Sequence, residues 1–85
     1  MHIAGVVVRT RPASVEAVQQ RIGKLAGTEV HATSPDGRLV VTVEGSDRRK
    51  VADMIYLLDR LEGVLSASMA YEHSDYDPQQ PETSQ

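Results

Sequence analysis

The chain has 85 residues, with nine Lys/Arg against twelve Asp/Glu, a 40% hydrophobic fraction and no cysteine. That length describes one domain, and its small core leaves little interior for a buried multi-step active site, so a binding module is favoured over a large-pocket enzyme. Missing thiols exclude disulfide staples, cysteine nucleophiles and thiolate metal sites, and fit a reducing compartment such as the cytoplasm.

Taken in chain order, Ile3 to Val8 is a short β-branched run bounded by Arg11-Pro12, which predicts a largely buried first strand. It lacks a basic leader and runs straight into Arg9, so it reads as neither an export signal nor a membrane span, which needs ~20 apolar residues. Pro12 suits the first turn of a helix, and Val15, Val18, Ile22 and Leu25 then recur at spacings of three and four, up to Gly27. Val30 to Ser34 and Leu39 to Glu44 are extended runs joined by Pro35-Asp36-Gly37, a hairpin turn. Ser46 and Asp47 offer caps for a second helix, whose inward positions are Val51, Met54, Ile55, Leu58 and Leu61, ending at Gly63. Val64 to Tyr71 is the last strand.

Lys24-Leu25-Ala26-Gly27 and Arg60-Leu61-Glu62-Gly63 echo each other before strands two and four, the mark of duplicated βαβ units. The expected fold is therefore an α+β, ferredoxin-like βαββαβ sandwich over residues 1–72: a four-stranded antiparallel sheet with two helices on one face and the other face open. Residues 73–85 carry Asp, Glu, Pro, Gln, Ser and Thr without apolar periodicity and read as a disordered acidic tail. From Glu72 onward there are four acids and no Lys or Arg, so residues 1–71, with nine positive and eight negative charges, are nearly neutral. The one basic cluster, Arg48-Arg49-Lys50, reads as a solvated first helical turn, and nucleic acid is disfavoured as a partner.

Side chains alternate across a strand, so one anchor per strand assigns the faces. Leu39, Val41 and Val43 form the bulkier row of strand three and are expected under the helices, leaving Val40, Thr42 and Glu44 outside. Strand two is expected to bury Val30 and Ala32 and to expose Glu29, His31 and Thr33. In strand four Leu65, Ala67, Met69 and Tyr71 are assigned inward, with Ser66, Ser68, Ala70 and Glu72 outward. Strand one is apolar in both rows; Ile3, Gly5 and Val7 are assigned inward and Ala4, Val6 and Val8 outward. A hairpin centred between Asp36 and Gly37 sets Glu29 opposite Glu44, where like charges repel, and Glu72 joins them at one end of the open face near His2. Arginine, whose planar guanidinium matches a carboxylate with two parallel N–H groups, would relieve that repulsion.

Other chemistry lacks a signature. His2, His31 and His73 show no metal-ligand spacing, the glycines form no phosphate-binding fingerprint, no nucleophile elbow is present, and the two central strands carry none of the aromatics that an RNA reader needs. No catalytic residue, metal or cofactor is expected.

The run Leu61-Glu62-Gly63-Val64-Leu65-Ser66-Ala67-Ser68-Met69-Ala70-Tyr71, the hairpin Ser34-Pro35-Asp36-Gly37-Arg38-Leu39-Val40-Val41-Thr42-Val43-Glu44 and the acidic tail together resemble the NapD family, cytoplasmic assembly chaperones of the periplasmic nitrate reductase. Gly5 departs from the larger apolar residue expected there. The resemblance implies a cytoplasmic, cofactor-free protein that is not an enzyme, binds no membrane, acts as a monomer, and holds the twin-arginine (Tat) signal peptide of the NapA precursor until the molybdenum cofactor is inserted. On that reading Ala4, Val6, Val8 and Val40 receive the apolar part of the peptide. His31, Thr42, Ser66, Ser68 and Ala70 complete the floor, and Glu29, Glu44 and Glu72 face the arginines. The rival readings are a small-ligand regulatory domain of ACT or Lrp type, which would use the loop Thr10-Arg11-Pro12-Ala13-Ser14, and an acylphosphatase-type enzyme, which would need an asparagine that this chain lacks.

Overall fold

The structure, a computed structural model, describes residues 1–74. Strand β1 (His2–Thr10) leads through a 3-10 turn (Pro12–Ser14) into helix α1 (Val15–Ile22); β2 (Thr28–Ser34) and β3 (Arg38–Gly45) form a hairpin; helix α2 (Arg48–Arg60) then precedes β4 (Val64–Ser74). All neighbouring strands are antiparallel in the order β2-β3-β1-β4. Val18 and Ile22 of α1 and Val51 and Leu58 of α2 share one core with Ala4, Val6 and Val8 of β1 and Leu39, Val41 and Val43 of β3. Both helices thus cover the same face, and the ferredoxin-like order expected from the sequence is the order found.

Local chemistry explains the element ends. Asp47 caps α2, its Oδ1 accepting the Lys50 N–H at 2.9 Å. Gly37 closes the hairpin with φ +103°, a left-handed turn position that glycine adopts without cost. It packs so close to Thr10 that a Cβ would collide with the Thr10 carbonyl oxygen, while Thr10 N–H donates to the Gly37 carbonyl at 2.7 Å. The first helix is shorter than its apolar spacing predicts: α1 stops at Ile22, and Leu25 reaches the core from the following turn. β4 runs through His73 and Ser74, past the predicted end at Tyr71. Residues 75–85 of the predicted tail lie outside the described residues. No helix among the described residues is long and apolar enough to cross a membrane.

Strand register corrects several face assignments. Residues directly opposite in adjacent strands share a face, and β1 pairs Ala4 with Val43, Val6 with Val41 and Val8 with Leu39. Ala4, Val6 and Val8, assigned to the open face, are therefore under the helices and fully buried. Ile3, Gly5, Val7 and Arg9 point the other way. The cause is visible at Gly5, where the Tyr71 ring of β4 lies over the glycine in the space a Cβ would occupy. A core-side glycine would leave a hole, whereas on the open face it seats an aromatic ring.

Bulges account for the remaining corrections, because one extra residue reverses the alternation beyond it. In β2 the bulge at His31 puts Ala32 opposite Val40 on the open face, the reverse of its expected facing, and Thr33 opposite Leu39, where it remains exposed as expected. Glu29 pairs with Thr42, not with Glu44, because the hairpin is centred on Asp36, with Ser34 opposite Arg38, rather than between Asp36 and Gly37, and the bulge shifts the register by one residue more. In β4 the register skips Leu65 and Ala70. Between these bulges Ala67 and Met69 lie on the helix side and Ser66 and Ser68 on the open side, as expected. Leu65, expected inside, is 63% exposed. After the second bulge Tyr71 turns to the open face and Glu72 to the helix side, opposite Ala4.

Candidate functional site: the open face of the sheet

Register alone builds the face opposite the helices, on which Ile3 and Gly5 are themselves buried. From β2 come Glu29, His31, Ala32 and Ser34; from β3 Arg38, Val40, Thr42 and Glu44; from β1 Ile3, Gly5, Val7 and Arg9; from β4 Ser66, Ser68, Tyr71 and His73. A shallow cavity of about 270 Å³ opens among Val7, Ala32, Thr33, Ser34, Arg38 and Val40. Its walls are chiefly apolar, and Val40 is 47% exposed and Tyr71 49%. Both half-exposed side chains lie on the same sheet face, which makes it the candidate interaction surface.

Polar groups border this apolar strip. His31 Nε2 lies 2.7 Å from Thr42 Oγ1, which holds the bulged imidazole down on the sheet. The Tyr71 and His73 rings meet at a tilt of 56°, with centroids 5.7 Å apart. Glu44 stands opposite Ile3 and, with Glu29 across from the neighbouring Thr42, makes one end of the face acidic. Among the described residues no cation pairs with either carboxylate. At the other end Arg9 and Arg38 are directly opposite each other. Arg38 bonds Asp36 at 3.3 Å. The Asp36 carboxyl sits below its ordinary range because the Ser34 hydroxyl hydrogen-bonds it, with the Arg38 charge adding to the effect.

Glu72 has a different role from the one its sequence position implied. Its Oε2 lies 3.3 Å from Nε2 of the buried His2, and its Oε1 accepts from Arg48 Nη2 at 2.9 Å. His2 Nδ1 is 2.9 Å from Ser74 Oγ. This cluster ties the start of β1, the end of β4 and the first turn of α2 together on the helix side, facing away from the open surface.

A family model for NapD protein matches residues 1–76. The chain belongs to the NapD family. Among its NapD relatives, "Chaperone NapD" of Paracoccus pantotrophus is 29% identical over 72 residues, covering 85% of this chain. The chain spans only 63% of that relative's length. "Chaperone NapD" of Escherichia coli (strain K12) is 26% identical over 74 residues, which cover 86% of this chain and 85% of that protein. A solved NapD structure, described as "Solution structure of the E. coli Tat proofreading chaperone protein NapD", superposes with a TM-score of 0.77 at 26% identity, over 98% of this chain and 86% of the other.

Set on this NapD fold, seven of the twelve residues singled out from the sequence lie together on the open face: Glu29, His31, Val40, Thr42, Glu44, Ser66 and Ser68. Ala70 is exposed in a β4 bulge. Ala4, Val6, Val8 and Glu72 are absent from that surface. Sequence reasoning missed Val7, Ala32, Tyr71, Arg9 and Arg38. One signal could have found Tyr71 and Val7, since a glycine inside a strand often seats a cross-strand aromatic, and placing Gly5 outward carries Val7 with it.

Proposed function

We propose that this chain is a cytoplasmic, non-catalytic chaperone that binds the twin-arginine signal peptide of the NapA nitrate reductase precursor and delays export until the molybdenum cofactor is in place. The observation that carries the reading is an apolar strip that none of the described residues covers, bordered by two carboxylates without an ion pair among the described residues, on a chain that belongs to the NapD family. Such a peptide joins a cationic segment to an apolar one; Val7, Ala32, Val40 and Tyr71 offer the apolar counterpart, and Glu29 and Glu44 the anionic one. Apolar burial supplies most of the affinity, at ~25 cal/mol per Å². Exposed ion pairs, worth ~0–1 kcal/mol each, supply selectivity.

The sheet edges favour a peptide lying on the face over one added as an extra strand. An added strand needs a regular, free row of backbone groups. β2 is bulged at His31 and β4 at Leu65 and Ala70, and the Ala67 N–H of β4 already donates to Asp59 Oδ1 at 3.0 Å. Membership of the NapD family over residues 1–76 favours the chaperone reading over the regulatory-domain and acylphosphatase ones.

Titration calorimetry with a synthetic NapA twin-arginine peptide, followed by amide shift mapping, tests the proposal. Expected are micromolar or tighter binding and shifts centred on Val7, Val40 and Thr42. Absence of binding, or shifts gathered instead around the groove that Ala52 and Ile55 form with Met69, would count against it.

A further inference from the structure

The charge on the open face is ordered along the strands, and the order is antisymmetric. Glu44 and Glu29 occupy one end, Val7, Ala32 and Val40 the middle, and Arg9 and Arg38 the other end. Glu44 and Arg38 are six residues apart on the same strand, a span of about 20 Å. A helix of about 13 residues covers that length. An α-helix carries partial positive charge at its N-terminus and partial negative charge on the free carbonyls of its C-terminus. A face that is anionic at one end and cationic at the other therefore accepts such a helix in one direction and opposes it in the other.

We propose that the open face fixes the polarity of the docked signal peptide. The arginine-bearing N-terminal end lies over Glu29 and Glu44, the apolar segment over Val7, Ala32 and Val40, and the C-terminal carbonyls of its helix over Arg9 and Arg38. The inference rests on the signal-peptide reading and adds direction to it. Three facts agree with it. The apolar core of a signal peptide runs ~7–15 residues and follows its cationic segment, which matches both the length and the order of the surface. Arg9 has no ion pair among the described residues, and Arg38 pairs only with the exposed Asp36. Both guanidiniums are thus available to carbonyl acceptors. Between the ends the floor includes the small side chains Ala32 and Ser68 beside Val7 and Val40, over which a helix can approach the sheet.

Paramagnetic labelling tests the direction. A twin-arginine peptide with an amidated C-terminus carries a nitroxide at its N-terminus in one sample and at its C-terminus in another, and each is added to the isotopically labelled chain. The N-terminal label is expected to broaden the amides of Glu29, Thr42 and Glu44 and to spare Arg9 and Arg38; the C-terminal label does the converse. A reversed pattern, or broadening of both ends by either label, overturns the polarity while leaving peptide binding on this face standing. Absence of binding, or binding that broadens neither end, defeats the functional reading, and the polarity falls with it. A second arm uses the double variant Arg9→Gln, Arg38→Gln, both at exposed positions. It is expected to bind about threefold to fivefold more weakly, to keep its preference for Arg-Arg over Lys-Lys, and to lose the one-sided broadening by the C-terminal label. Unchanged affinity and unchanged broadening in this variant overturn the role of the arginine pair.

Discussion

The two faces of this sheet are made from nearly the same residues and have opposite fates. Val41 is sealed between strands and helices, and its neighbour Val40 is about half exposed; Val6 and Val8 are buried while Val7, between them, lines the open cavity. Hydrophobicity alone does not separate these positions. The difference comes from what covers each face: α1 and α2 bring Val18, Ile22, Val51 and Leu58 onto one side, and none of the described residues supplies an equivalent layer on the other. One apolar face therefore holds the domain together, and the other has no such layer among the described residues.

Neighbouring substitutions should separate the two faces sharply. Val41→Asp places a carboxylate in the core without a partner, at a cost of several kcal/mol out of a total of ~5–15. The protein is expected to be unfolded at room temperature, and circular dichroism will show it; a cooperative melt near that of the wild type would refute the assigned face. Gly5→Ala forces the Tyr71 ring off its seat, with an expected loss of ~1–3 kcal/mol from overpacking, read as a lowered Tm and altered Tyr71 ring resonances. Val40→Asp should leave the Tm within a few degrees, as exposed substitutions usually change stability by ~0.5 kcal/mol or less. Its effect appears in calorimetry, where affinity for the signal peptide falls by about tenfold or more, the equivalent of ~1.5 kcal/mol of lost apolar burial.

Glu44→Lys is expected to act more mildly, weakening Arg-Arg peptide by up to about fivefold and abolishing the preference over Lys-Lys, because an exposed pair is worth little but a guanidinium fits a carboxylate better than an ammonium does. The smallest effect is at the hairpin. Asp36 has its folded-state carboxyl held below the ordinary 3.8 by the Ser34 hydroxyl and then by Arg38. Its contribution to stability is complete above that ordinary value and disappears as pH falls through the lower folded one. An NMR titration should give an Asp36 midpoint below 3.8, and Ser34→Ala should move it back up.

Much of this molecule was legible before any tertiary contact was known. The apolar spacing of Val18, Ile22, Val51 and Leu58, the Asp47 cap and the Asp36-Gly37 turn are short-range features, each governed by residues within one or two turns of chain. They specified the element order and with it the fold. The alternation in β3 was equally clear, since Leu39, Val41 and Val43 are bulkier than the residues between them, and so Val40, Thr42 and Glu44 were placed correctly. Where two rows are alike, as in β1, parity has no anchor and does not place Ala4, Val6 and Val8 on the helix side where they lie.

What only the tertiary structure decided is the register. A bulge is a relation between two strands: His31, Leu65 and Ala70 look like ordinary strand residues until their partners are aligned. Each extra residue then turns every side chain beyond it to the other face. That is why Glu72 ended in a cluster with His2 and Arg48 rather than beside Glu44, and why Ala32 and Tyr71 joined the open surface; the unbulged pairing of β1 with β3 set Arg9 opposite Arg38. The sequence determined which segments become strands and helices and that α1 and α2 would share one sheet face. Which side chains face outward from it depended on how strands far apart in the chain slid into pairing, because side-chain direction in a sheet is set by registration and not by composition.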